Sequence, residues 1–242
     1  KPFKAPDMSY VEDGTVNENI TIEVLDKETC PRYLGHYIYD VKSMESPLWM
    51  KRRLIALGHN AINAMVDITN YVLVEMGQPM HAFDLNDLAG DGIRVRRANE
   101  GETLVTLDEK ERVLTPNNLV ICDTEKAVGL AGVMGGLNSG IKDTTTEVVF
   151  EAAKFLKDNV RKTSRSLGLR SDSAARFEKG IDEYTVECGM ARALNLAQTL
   201  GVAKISSTHF DISGGASTEK RVIKVETAKV NEVLGIEVPE EE

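Results

Sequence analysis

Cysteine is scarce: Cys30, Cys122 and Cys188 are odd in number and far apart in a chain of 242 residues. Neither a disulfide framework nor a CxxC metal site can be assembled from them, which implies a reducing, cytoplasmic setting. Histidine is as sparse. His36, His59, His81 and His209 are scattered, without HExxH or Cys/His ligand spacing, so no metal site is expected. No run of about 18 apolar residues occurs, so no membrane span is expected. Signal peptide, internal repeat and low-complexity tract are also missing. The chain opens Lys-Pro-Phe-Lys and stops on Val-Pro-Glu-Glu-Glu soon after a new element begins, and is read as a piece of a longer protein.

What is present is ordinary for a globular protein: 42% hydrophobic and 28% charged residues, with length for one large domain or two small ones. The net charge of −9 argues against a general nucleic-acid-binding surface. Its distribution is uneven. Residues 154–179 carry eight Lys/Arg against three acids, a local +5, which leaves −14 on the remainder. Such a strip can guide one polyanion to one place; a solvated helix face is the plainer reading.

Residues 1–19 are polar and read as a linker. Alternation predicts strands over 20–24 and 33–41. Ser46 as N-cap, Pro47 at the first helical position and Gly58 as the stop predict a helix, and Asn60 starts another that ends at Gly77. Short strands follow over 93–97, 103–107, 112–114 and 119–122, with a hairpin loop at 108–111. After a glycine-rich stretch comes a buried strand over 147–150, then helices over 154–167 and 183–200. The last has Asp182 as cap, Gly201 as stop and one apolar face. A linker at 213–217 precedes a strand at 222–225 and a helix at 230–234. Grouped rather than alternating elements predict an α+β fold, with a sheet-rich centre, flanking helices and partial neighbouring domains at both ends.

Individually the chemical signals are weak. Gly132, Gly135 and Gly136 allow a close backbone approach, but neither a Gly-Lys-Ser/Thr loop nor a dinucleotide fingerprint accompanies them. Glu151 ends an apolar run, as an exposed strand end or as a carboxylate at the lip of a pocket needing a donor. Thr69 and Asn70 fit a helix surface, and residues 170–180 fit a cleft wall or a helix cap. His81, after Gly77-Gln78-Pro79, suits a packed core, a metal or a substrate.

Taken in order, "MVDITNYVLVEMGQPMHAFD", "LAGVMGG", "VVFEAAKF" and "RSLGLRSDSAARFEKG" resemble the bacterial-type phenylalanyl-tRNA synthetase beta subunit over roughly residues 20–213, centred on its editing domain. The tail "VIKVETAKVNEVLG" resembles the start of the next domain. The implied organisation is a linker and partial strand segment of the preceding domain over 1–45, the tRNA-editing domain over 46–213, and a linker with the truncated start of the next domain over 214–242. The implied activity is hydrolysis of mischarged Tyr-tRNA(Phe), since a phenylalanine pocket cannot strongly exclude a ligand that only adds a hydroxyl. The resemblance implies His81, Asn70 and Thr69 as catalytic, and Glu151, Gly135, Ser171 and Ser173 as lining the editing pocket. Glu151 is expected to accept the phenolic hydroxyl as a charged carboxylate. Arg161, Arg165, Arg170 and Arg176 of the basic strip are candidate RNA contacts. Expected partners are tRNA(Phe) and the alpha subunit, two of each subunit. No cofactor is expected in this piece, with ATP and magnesium used by the whole enzyme. His59-Asn60-Ala61 and Asp182-Glu183 depart from the family pattern and are expected to be peripheral. The rival reading is a non-enzymatic RNA-positioning and subunit-contact module with a decayed site.

Overall fold

The computed structural model describes residues 4–213 and 222–239. In chain order the elements are β1 (Thr21–Val24), β2 (Arg32–Tyr39), α1 (Leu48–Ala56), α2 (Ala64–Met76), β3 (Met80–Asp84), β4 (Gly92–Arg97), β5 (Thr103–Val105), β6 (Glu111–Val113), β7 (Leu119–Cys122), β8 (Ala127–Leu130), β9 (Met134–Gly135), β10 (Glu147–Lys154), α3 (Lys157–Ser166), α4 (Asp172–Phe177), α5 (Glu183–Leu200), β11 (Lys204–Ser213) and α6 (Thr227–Leu234). The fold is α+β, as expected. No helix among the described residues is long and apolar enough to cross a membrane.

Two sheets form the body. One has the order β11-β2-β10-β3, all antiparallel; the other has the order β1-β4-β7-β8-β9, in which only β1 and β4 are parallel. β5 and β6 make a separate hairpin. Helix α5 packs on β2, β10 and α2, and α2 packs on β3. The sheets come close at two places. A Cβ at Gly35 of β2 would lie 2.2 Å from Ile22 Cδ1 of β1, and one at Gly135 of β9 would lie 2.7 Å from His81 Cε1 of β3. The site lies at the second of these.

Local chemistry explains the helix ends. Asn63 caps α2 by accepting from Val66 N, and Gly77 closes it with φ +78. The start expected at Asn60 is displaced because Asn63 has the capping geometry. The expected cap of α1 is also corrected. Pro47, not Ser46, is its N-cap, and the Ser46 hydroxyl instead donates to buried Asp67 at 2.6 Å. Asp182 caps α5 through Tyr184 N, and Gly201 ends it, as expected.

The expected boundary at 45/46 cuts through packed structure. β2 is an interior strand between β10 and β11, and β1 pairs with β4, so residues 21–39 belong to the body. Residues ahead of them form a strap rather than a loose linker: Asp13 N donates to Ile205 O, Asn17 N to Thr208 Oγ1, and Arg192 Nη1 to Asp7 O. Of the linker expected at 213–217, residues 214–217 lie outside the described residues. Residues 222–225 are exposed and not a strand, whereas the expected helix beyond them is α6.

Candidate functional site

Register creates the centre of the site. In the ladder of β10 with β3, Glu151 is directly opposite His81, so both side chains leave the sheet on one face. There they border two cavities that share Met80, His81, Val133, Met134, Gly135 and Ser173. The inner one, about 60 Å³, contains Glu151 and is walled by Phe83, Phe155 and Phe177. The outer one, about 440 Å³, adds Thr69, Asn70, Ser171 and His59. The inner volume is well under the roughly 150 Å³ of a cavity that accepts benzene. An aromatic ring therefore has to widen it, or span both compartments.

All seven expected pocket residues are thus brought together, each in a different state. Glu151 is buried, 5% exposed, and its carboxyl has no hydrogen-bond partner among the described residues. Desolvation pushes its pKa up to about 8, so at neutral pH it is a neutral acid rather than the expected carboxylate. His81 is half-buried overall, but its Nε2 is sealed from solvent and unpartnered. Desolvation lowers its pKa to about 4, which leaves a neutral imidazole. Its ring meets Phe83 edge-on at 4.5 Å. Thr69 donates its hydroxyl back to Val66 O at 2.8 Å, so its proton is already engaged within the helix. The Asn70 side chain has no hydrogen-bond partner among the described residues. Ser171 caps α4 by accepting from Ala174 N and donates to Val133 O, which ties α4 to the glycine loop. Ser173 follows in the first turn of α4. Gly135 has no Cβ where one would collide with His81.

The basic strip is divided. Arg165 and Arg170, with Lys110 and Arg112, border a surface groove of about 600 Å³ that shares Met134 with both cavities. Arg161 is turned to Asp158 at 3.6 Å, and Arg176 lies with Lys179 and Asp182 in a separate depression. His59, expected to be peripheral, lines the outer cavity with Nε2 3.8 Å from Asp172 Oδ2. Glu183 is away from the cavities: it takes Lys154 Nζ at 2.7 Å, and its carbonyl takes Arg32 Nη1. Gln78 was overlooked. Fully buried and packed on Gly189 of α5, it donates to Pro79 O and Ala153 O and so fixes the turn that delivers His81.

The unpartnered Glu151 gives a stability prediction. Its folded pKa is raised above the ordinary 4.5, so its contribution to stability is full below pH 4.5 and is lost as pH rises through about 8. Glu151→Gln does not titrate. Its Tm should match that of the parent near pH 4 and exceed it by roughly 5–10 °C at pH 9. Groups common to both proteins cancel in the difference, and a flat difference across that range would refute the buried, unpartnered acid.

Residues 29–201 match the B3/4 domain family, and the chain belongs to it. Within it, the chain is similar to phenylalanine--tRNA ligase beta subunits. It is 41% identical to that of Syntrophus aciditrophicus over 99% of this chain and 30% of that protein. It is 43% identical to that of Oceanobacillus iheyensis over 100% and 30%. It therefore spans about 30% of the length of these curated relatives. Among solved structures, an N-terminal fragment of the phenylalanyl-tRNA synthetase beta subunit from Pyrococcus horikoshii superimposes with a TM-score of 0.54 at 10% identity, over 96% of this chain and 64% of that one. That likeness bears on the fold.

Proposed function

We propose that this domain proofreads aminoacyl-tRNA by hydrolysing the ester of tyrosine wrongly attached to tRNA(Phe), within a ligase of two alpha and two beta subunits. The observation that carries the proposal is Glu151: a lone, unpartnered carboxyl at an aromatic-lined cavity, opposite His81. A buried polar group without a partner costs stability, so its retention is best explained by a ligand that completes it. A phenol matches the chemistry of the lining: once the inner cavity widens, the ring takes the aromatic wall and the hydroxyl meets Glu151. The ester end then lies towards His81, Asn70 and Thr69 in the outer cavity, and Arg165 and Arg170 beside it attract tRNA phosphates.

In the reaction a water oxygen bonds to the ester carbon, the carbon–oxygen bond to the ribose breaks, and the water's proton passes to the departing ribose oxygen. The ester is already activated, so placing the water and stabilising the oxyanion contribute most. A histidine with its pKa near 4 is a weak base; its neutral ring suits it to orient water or substrate by hydrogen bonding. The cavities combine the neutral acid Glu151, the neutral imidazole of His81, a second histidine, His59, and the edge carboxylate of Asp172, a poor set for magnesium-bound ATP. Use of ATP and magnesium is assigned to other parts of the whole enzyme.

The direct experiment is deacylation of Tyr-tRNA(Phe) against Phe-tRNA(Phe), with this chain alone and with the full subunit pair. Preferential loss of tyrosine supports the proposal. Equal, spontaneous rates with both preparations would favour a module that only positions RNA. In the assembled enzyme, His81→Ala should slow deacylation of both esters by roughly 10–100-fold. Its Tm should move little, because lost ring packing is offset by removing an unpartnered nitrogen. Full activity with a Tm lower by several degrees would reduce His81 to scaffold.

A further inference from the structure

Two histidines without ligand spacing in the sequence are neighbours in the fold. The register of β2 with β11 pairs His36 with His209 beside a bulge, and their rings lie 5.6 Å apart at 18°. Glu12 of the N-terminal strap places Oε1 3.6 Å from His209 Nδ1. One ligand atom from each of the three lies within 4.8 Å of the others. None of the three lines the two cavities. We propose that Glu12, His36 and His209 form a binding site for a divalent transition metal of the zinc type, which ties the strap to β11.

The donor set fits such an ion. Two imidazoles and a carboxylate are ordinary zinc ligands, and three protein ligands leave a fourth position for water. His36 is prepared for the role. Its Nε2 lies 2.9 Å from Ser206 O; a carbonyl can only accept, so Nε2 carries the proton and the ring lone pair is on Nδ1. Ligating histidines are commonly held through their other nitrogen in this way. Tyr10 contacts the ring edge-on at 5.9 Å and limits its rotation.

The geometry is close but open. Zinc bonds of about 2.0–2.1 Å in a tetrahedron put donor atoms roughly 3.3 Å apart, so the three atoms have to close by up to about 1.5 Å. His36 is buried and fixed, whereas His209 is exposed and Glu12 half-buried, so the movement falls on side chains with room. The strap is already aligned for it: Asp13 N donates to Ile205 O at 3.0 Å, and Ser207 N donates to Thr15 O at 2.8 Å. A plain Glu12–His209 ion pair is the alternative that the test has to separate.

The test uses the whole 242-residue chain without a histidine tag. Cobalt(II) titrated at neutral pH should saturate near one equivalent with a tetrahedral visible absorption band, and zinc(II) should displace it. Zinc should also raise Tm and slow proteolysis of the strap. His209→Gln and Glu12→Gln should each weaken binding by roughly 10–100-fold or more. Both positions have solvent access, so these variants should fold, and Glu18→Gln on the exposed strap serves as a control that leaves binding unchanged. Absence of saturable binding at millimolar zinc, or affinity that survives either ligand substitution, overturns the proposal.

Discussion

Glu151→Ala is expected to erase most of the preference for a tyrosyl over a phenylalanyl ester while leaving the protein folded. Two effects that favour tyrosine disappear together. The phenolic hydroxyl loses its only nearby carboxyl, and a phenyl ring no longer has to cover an unpaired polar group. An unsatisfied buried group costs about 1–3 kcal/mol, which corresponds to a discrimination of roughly 5- to 150-fold. Wild-type protein should show a ratio of that order near neutral pH, and the alanine variant a ratio near one. Because Glu151 titrates near 8, the wild-type ratio should rise between pH 7 and 9. The ionised form is a stronger acceptor for the phenol and more costly beneath phenylalanine. Glu151→Gln should keep part of the ratio and lose its pH dependence. Rates for Tyr-tRNA(Phe) and Phe-tRNA(Phe) in the assembled enzyme, corrected for spontaneous hydrolysis, provide the check. A Tyr/Phe ratio unchanged in Glu151→Ala would sink the role given to Glu151.

The sequence foretold elements in which one signal dominates. The 18-residue α5 has capping at both ends and buries Val186, Met190, Ala193, Leu194 and Ala197 on one stripe. Leu119–Cys122 is a short apolar run buried throughout, and was legible as β7. Missed elements carry mixed signals. β8 and β9 lie in the glycine-rich stretch, where a pairing of Gly129 with Gly135 forms despite the low strand propensity of glycine. β11 reads Lys-Ile-Ser-Ser-Thr-His-Phe-Asp-Ile-Ser, largely polar, and its bulge breaks the alternation. Helix α4 has only six residues, too few for a period to show.

The site divides in the same way. The motifs named its residues, but its chemistry depends on relations between distant segments. Opposition of Glu151 to His81 is a matter of register, and the neutral state of Glu151 follows from its burial away from water. Likewise His36 and His209 look scattered until β11 is known to lie beside β2. Sequence spacing is a poor guide to cross-strand pairs, because the intervening chain can be any length.

Gly135→Ala should cost the most activity for the smallest chemical change. The backbone at Gly135 does not require a left-handed conformation, so any penalty comes from contact. The added Cβ would lie 2.7 Å from His81 Cε1, 3.3 Å from His81 Nε2 and 3.3 Å from Leu107 Cδ1. The imidazole cannot simply recoil, since Phe83 contacts it at 4.5 Å, and any other movement takes it into one of the two cavities it borders. Displacement of a substrate-orienting group by about 1 Å can cost about 100-fold in rate, and overpacking costs about 1–3 kcal/mol in stability. The expected result is a deacylation rate lower by about two orders of magnitude, with a Tm lower by roughly 2–10 °C. Gly140→Ala is the matched control: it borders the same outer cavity in extended backbone, and its Cβ would meet nothing within 4 Å. A double substitution identifies the route of the effect. If Gly135→Ala acts by displacing His81, it should cost little further activity in a His81→Ala background, a strongly non-additive pair. Additive losses would mean that the glycine wall is needed by the substrate itself rather than by the histidine. Wild-type rates in Gly135→Ala would mean that neither side of this close approach takes part in the reaction.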